Sequence, residues 1–332
     1  MLENWDGAIL IDKPASLSSF GVLEALQKSL RSRTGLKRKD LPKLGHGGTL
    51  DPFATGLLIA CVGHGAKLAR YFLGGDKEYE GLLRFGKTTL PGDPTAPVTE
   101  TTDVLPESLE VLNIMAKRFS AQPYLQTPPM HSAKKVDGKP LYELARKGIE
   151  IEREPKLCYL REFEFLSYDA PLARFRVRCS SGTYIRTLAQ DFGRFMGSLG
   201  MLDSLARVAS GDLKLSQAMP LPEIVTLSDQ GRPWPELPSW IPFDQMLAGG
   251  FASGFQRAEA TDAEASSLTQ GRQNALFSIL KRAHSGLDGQ PSDLLAIYLR
   301  DRLIAVARRN EMNGTYEGAP GWSLDRVFSD RS

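Results

Sequence analysis

One stretch of this chain combines residue types and spacing that suit chemistry: GHGGTLDPFATG, residues 45–56, whose single carboxylate is Asp51. The adjacent glycines Gly47 and Gly48 permit positive φ or a close approach of backbone. Pro52 pushes Asp51 out of the α region towards an extended conformation, which predicts a carboxylate at the tip of a stiff loop. Residues 57–62, LLIACV, form a short apolar run between two glycines and are expected to be a buried strand. A loop tied to a core strand holds a reactive group firmly while presenting it to solvent. Asp followed by Pro also initiates ordinary turns, so spacing alone leaves that reading open.

The other reactive side chains argue against metal and disulfide chemistry. His46, His64, His131 and His284 form no HExxH or Cys/His cluster, so no metal is expected. Cys61, Cys158 and Cys179 are odd in number and widely spaced, which reads as core thiols rather than a disulfide framework. With 332 residues, 42% hydrophobic and 24% charged, the chain matches a soluble globular protein built as one large and one small domain. Its formal net charge is only +2, so a nucleic-acid surface must come from local clustering. The segment MLENWDGAILIDKP lacks a basic region followed by a long apolar stretch, and no apolar run reaches membrane length, so a cytoplasmic protein with no membrane contact is expected.

Several elements are expected to position the Asp51 loop. Residues 8–12 read as a strand, and Ser18 as the N-cap of a helix with Leu23, Leu26 and Leu30 inward. The basic run 28–43 (Lys28, Arg31, Arg33, Lys37, Arg38, Lys39 and Lys43 against Asp40) reads as a solvated flexible loop or a phosphate-contacting one. Residues 65–73 suggest a short helix and 78–85 a strand with Tyr79, Leu83 and Phe85 on one face, Tyr79 being a core residue on this reading alone. An irregular loop is expected over 88–102, a helix over 106–119, a basic loop over 123–137 with His131, Ser132, Lys134 and Lys135, and a short helix over 141–147.

Strands are expected over 157–166 and 173–179, the second alternating Phe175, Val177 and Cys179 with Arg174, Arg176 and Arg178. That arginine ladder must be solvated or matched by anions. Thr183 opens a helix with Arg186 at the edge of its apolar stripe, within reach of a carboxylate. Prolines 220, 222, 233, 235, 238 and 242 mark an expected linker, dividing 1–220 and 221–242 from a C-terminal part, 243–332. That part shows a short helix at 263–270 and strands at 294–299 and 303–308.

GHGGTLDPFATG followed by GHGAKLARYFLGGDKEYEG resembles the active-site block of the TruB-type tRNA pseudouridine synthases. LIDKP (10–14), TPPMHSAKKVDGKPLYELARKGIEI (127–151) and SSGTYIRTLAQDFG (180–193) resemble three further blocks in order, so the likeness spans roughly residues 8–220. It implies an α+β fold with a mixed, mainly antiparallel sheet and flanking helices, followed by a small C-terminal β-rich PUA-like domain. It further implies isomerisation of uridine to pseudouridine at position 55 in the TΨC loop of tRNA, bound through its T-arm, with no cofactor and a monomeric enzyme. By resemblance Asp51 is the catalytic carboxylate, Arg186 its guanidinium partner, and Tyr79 the aromatic that stacks on the target uracil. Tyr184, His46, Leu205, Lys13 and Lys67 match residues that line or flank the site. Gly47 stands where the family usually has Thr, His131 where it has Tyr, and Ala206 where it has Arg.

Breaking an N-glycosidic bond and rejoining the base through C5 suits a carboxylate that attacks C6 or takes a proton from the sugar, and the sequence favours neither. A guanidinium beside it is expected to lower its pKa. Two other classes compete: a non-catalytic RNA-binding protein, which the presence of Asp51 and Arg186 disfavours, and a nucleoside or glycoside hydrolase, which usually needs a second working carboxylate.

Overall fold

The structure is a computed structural model that describes residues 5–130, 135–136, 139–140, 151–247, 254–284, 293–309 and 321–328. Two strands, Gly7–Lys13 and Thr55–Val62, pair antiparallel near the middle of the main sheet. Their runs are almost wholly apolar because both faces are covered. Ile9, Ile11, Leu58, Ala60 and Val62 enter one core, while Ala8, Leu10, Leu57, Ile59 and Cys61 enter another.

Beyond Thr55–Val62 the sheet continues through Gly200–Ser210, Lys77–Phe85 and Leu172–Cys179 to the edge strand Leu160–Asp169. Among the described residues of this sheet two pairings are parallel: Gly7–Lys13 with Met219–Pro220, and Thr55–Val62 with Gly200–Ser210. The second shares just two positions, Ala206 with Thr55 and Arg207 with Gly56, so the strands separate beside the Asp51 loop.

Four helices pack on one core face, the last of them Leu221–Asp229 through Leu221 and Ile224. Ser19–Thr34 starts where the Ser18 hydroxyl accepts the Gly21 N–H and stops at left-handed Gly35. Leu109–Ser120 packs Leu112 and Ala116 inward, and its Asn113 bonds both the N–H and C=O of Phe165 on the edge strand. Ile185–Phe195 contributes Phe192 to an aromatic cluster with Phe85, Phe163 and Phe165.

Several expected elements differ in form. The basic run 28–43 is half helical, because burial of Leu26 and Leu30 carries the helix to Gly35, and Arg38–Asp40 forms a 3-10 turn ahead of buried Leu41. Lys28, Arg31, Lys37, Arg38, Lys39 and Lys43 are nonetheless exposed. Residues 65–73 form two 3-10 turns, Gly63–Lys67 and Ala69–Phe72, rather than one helix. The loop expected over 88–102 contains a hairpin, Lys87–Thr89 with Val98–Thr101. The arginine ladder is matched by anions of its own sheet: Glu80 accepts from Arg174 and Arg176. His131, Ser132, Lys134 and the helix expected over 141–147 lie outside the described residues.

The stretch 221–242, expected as a linker, is instead built into the core. Pro222 occupies the first turn of a helix, Leu221–Asp229, where its missing N–H forfeits no helical bond. Trp234 is fully buried, and Trp240–Pro242 pairs with Gly7–Lys13. Further on, a sheet in the order Phe255–Glu259, Leu294–Leu299, Arg302–Arg309, Trp322–Val327 forms the β-rich C-terminal part. One face packs on the helices Asp262–Thr269 and Asn274–His284. Ala296, Tyr298, Leu303 and Val306 of this sheet, with Phe328, join Phe243, Met246 and the covered face of the main sheet in a single core.

Candidate active site

Asp51 follows Leu50, whose N–H is held by the buried Ser19 hydroxyl at 2.8 Å. On one side Lys13 donates to the carbonyls of Pro14 (2.8 Å), Leu17 (2.7 Å) and Pro52 (3.3 Å). On the other, Arg207 donates through Nη2 to the Gly48 carbonyl at 3.2 Å and through Nε to that of Leu57 at 2.8 Å. Both cations are buried, and they tie the loop at each end of the GGTLDP segment to the ends of core strands.

The carboxylate meets Arg186, which lies one residue into the helix Ile185–Phe195. Arg186 Nε donates to Asp51 Oδ2 at 2.8 Å and Nη2 to Oδ1 at 3.1 Å, a two-point grip that fixes the direction of the carboxylate. The guanidinium is buried, donates through Nη1 to the Pro91 carbonyl at 3.1 Å, and lies 3.6 Å from the Asp93 carboxylate. Gln126 fixes the start of this helix: its Oε1 accepts the Tyr184 N–H at 2.7 Å and its Nε2 donates to the Tyr184 carbonyl at 3.0 Å.

Burial pushes the Asp51 carboxyl above its ordinary pKa, Arg186 works against that through charge and hydrogen bonds, and Asp93 adds to the rise. The net direction is upward, the reverse of what a neighbouring guanidinium alone predicts, because the carboxylate is also partly withdrawn from water. Burial draws Lys13 down to about 8, with Asp51 opposing and Arg207 assisting. His46 is lowered by burial and by Arg207, which keeps the imidazole neutral near pH 7.

Asp51 opens into a cavity of about 410 Å³ walled by Tyr79, Tyr184, Arg186, Leu205 and Arg207, with Thr49, Leu73 and Lys156 among its other lining residues. Five residues singled out from the sequence, Asp51, Arg186, Tyr79, Tyr184 and Leu205, are thus brought together. Three are placed elsewhere: Lys13 is fully buried behind the loop, half-buried His46 lies on the strand Leu44–His46, and Lys67 is exposed at the end of a 3-10 turn. A larger cavity, about 700 Å³, is lined by Thr187, Gln190 and Asp191 of the same helix and includes none of those five residues.

Gln126, Asp93 and Lys156 were not legible as site residues. Gln126 stands one position before a block that was recognised, whereas Asp93 and Lys156 carry no local signal. Gly47 has a physical partner: a Cβ there would lie 2.8 Å from Phe72 Cβ and 3.3 Å from Ile59 Cβ, so Phe72 occupies the room a threonine would need. Among the described residues, no group of three or more His, Cys, Asp or Glu is placed to hold a metal, and no helix is long and apolar enough to cross a membrane.

Residues 33–185 match the model of the TruB family pseudouridylate synthase N-terminal domain. A tRNA pseudouridine synthase B of Dechloromonas aromatica (strain RCB) is 40% identical over 255 residues, 77% of this chain and 80% of that protein. The chain belongs to the TruB family of pseudouridylate synthases. Another member, the tRNA pseudouridine synthase B of Bordetella avium (strain 197N), is 42% identical over 226 residues, 68% of this chain and 88% of its own length. The fold is also that of a chain in the crystal structure of a Cbf5-Nop10-Gar1 complex, with a TM-score of 0.67 at 21% identity, covering 98% of this chain and 86% of that one. In this TruB-family chain the recognised block around Asp51 therefore coincides with the one cavity, among those described here, that holds a carboxylate gripped at both oxygens.

Proposed function

We propose that this protein converts uridine to pseudouridine at position 55 in the TΨC loop of tRNA, engaging the T-arm, with Asp51 as the reacting carboxylate. The reading rests on one observation above all: Asp51 is aimed by Arg186 into a cavity whose walls carry Tyr79 and Tyr184. A volume of about 410 Å³ falls within the range of roughly 300–1,000 Å³ typical of small-ligand sites. A stacked base must be extruded to reach such a site, and an aromatic wall stabilises the extruded form. Tyr79 serves as that wall, since its ring is buried and its phenol faces Arg207.

Asp51 opens the reaction either by attacking C6 of the base or by taking a proton from the sugar, and Arg186 serves both by fixing the carboxylate. Residues 1–220 carry the chemistry and the C-terminal β-rich part, from residue 243, adds RNA contacts. The enzyme acts as a cofactor-free cytoplasmic monomer.

The test is incubation with an unmodified tRNA transcript and mapping of pseudouridine at single-nucleotide resolution. The expected product lies at position 55 for the unaltered protein and is absent for Asp51→Asn, whose tRNA affinity stays within a few fold. Turnover by Asp51→Asn, or a product only at other positions, would overturn the reading.

A further inference from the structure

Four cations line the Asp51 cavity: Lys77, Lys156, Arg186 and Arg207. Three are committed to the protein. Lys77 is buried and donates to the carbonyls of Phe72 at 2.9 Å and Gly75 at 2.7 Å. Arg186 is taken up by Asp51 and Pro91, and Arg207 by Leu57 and Gly48. Lys156 differs from them. It is exposed, and its ammonium donates to the Ser181 carbonyl at 3.1 Å, which leaves capacity among its three donors.

Its setting is fixed from two sides. Lys156 begins the short strand Lys156–Cys158 and pairs in register with Gln126, the residue that holds Tyr184. Its ammonium lies against the turn at Gly182, which has φ +76° and where a Cβ would come within 2.5 Å of Nζ. Glycine is therefore what lets the charge rest on this turn, beside Tyr184 at the rim of the cavity.

We propose that Lys156 is a phosphate-binding residue, taking a backbone phosphodiester of the nucleotide whose base turns into the cavity; the proposal rests on the function proposed above. A uracil base is neutral and can enter beside Asp51. The phosphates attached to its sugar are anionic and are repelled by that carboxylate, so they stay at the rim. There the buried cations are out of reach or already neutralised, and Lys156 supplies a compact point charge with free donors. The ligand class is the phosphodiester of a single-stranded, turned-out nucleotide.

The experiment measures binding of a target stem-loop RNA against salt concentration for the full chain, Lys156→Met and Lys156→Arg. Loss of one phosphate contact makes the negative slope of log K against log salt shallower by about 0.7 to 0.9. Lys156→Met is expected to show that change with a loss of affinity of about fivefold at moderate salt, and Lys156→Arg to restore both. Neutral methylphosphonate linkages are then placed one at a time beside the target uridine. One of them should weaken binding by the unaltered protein and cost Lys156→Met nothing further. An unchanged salt slope in Lys156→Met, or losses that add for every linkage, would overturn the proposal. Absence of pseudouridine from reactions of the unaltered protein would instead overturn the function, while the binding comparison still decides the role of Lys156.

Discussion

Arg186 holds both oxygens of Asp51, Nε to Oδ2 at 2.8 Å and Nη2 to Oδ1 at 3.1 Å, across 135 positions of sequence. The bond pair needs the planar fork of a guanidinium, which an ammonium cannot reproduce. Arg186→Lys is therefore expected to lower the single-turnover rate at saturating tRNA at least tenfold, about 1.4 kcal/mol in the barrier, with a smaller loss of affinity. An exposed ion pair would contribute only about 0 to 1 kcal/mol, and a rate close to that of the unaltered protein would show that the grip does not set the direction of the carboxylate.

Burial raises the Asp51 pKa despite Arg186, so the rate should fall on acidification with a midpoint above the roughly 3.9 of a free aspartate. The sign follows from the chemistry: the ionised form reacts, and protonation removes it as pH falls through the raised value. Linkage runs the other way for stability. A carboxyl raised on folding contributes stability that is complete below its unfolded pKa and lost as pH rises through the folded one. Single-turnover rates measured across acidic and neutral pH check this, and a midpoint at or below the ordinary value would contradict it.

The pairing of Gly47 with Phe72 gives a stability prediction. Gly47→Thr drives a side chain into Phe72 and should destabilise by about 1 to 3 kcal/mol, the usual range for overpacking. Combined with Phe72→Ala, the loss should be smaller than the sum of the two single losses, since the deleted ring makes the room. Denaturant unfolding of the four proteins measures the cycle, and strict additivity would mean that Phe72 is not what excludes the threonine.

Much of the site was legible because local chemistry and topology agree there. LLIACV reads as a buried strand and is one, and the Gly47–Gly48 and Asp51–Pro52 pairs before it mark the loop. The helical pattern puts Arg186 within reach of a carboxylate, but only resemblance names Asp51 as its partner, since an arginine on the edge of a helix has many fates. Lys13 and Lys67 are named by the same route: Lys13 donates to three carbonyls, and Lys67 is exposed and outside the lining of the cavity. Gln126 and Lys156 act through a two-stranded pairing that no local pattern announces. The prolines of 220–242 predict a linker because proline breaks a helix interior, but Pro222 falls in a first turn, where proline is tolerated.

Lys37, Arg38 and Lys39 are exposed on and before a 3-10 turn, and Gly63 N donates to the carbonyl of nearby Lys43 at the end of the strand Thr55–Val62 remote from Asp51. Neutralising all three should weaken tRNA binding and flatten its salt dependence while leaving the rate at saturating tRNA intact. An unchanged slope would make this a solvated surface.

The last prediction concerns where the chain can be cut. The prolines predict a linker over 221–242 and so a boundary at Pro242. The structure places Phe243 and Met246 just beyond that point, both buried against Ala8, Leu10, Leu57 and Ile59 of the central strands. Burial of a large apolar side chain contributes about 1.5 to 3 kcal/mol, so a fragment ending at Pro242 forfeits three such contributions, from Phe243, Met246 and Leu247, that one ending at Leu247 retains. Both fragments lose the cover given by Tyr298, Leu303 and Phe328, and both should be less stable than the whole chain. The difference between them isolates Phe243, Met246 and Leu247: the shorter fragment should unfold at lower denaturant, by about 4.5 kcal/mol or more, or fail to show a cooperative transition. Equal stability of the two fragments would mean that the second core is held from the C-terminal sheet rather than by the segment that follows Pro242.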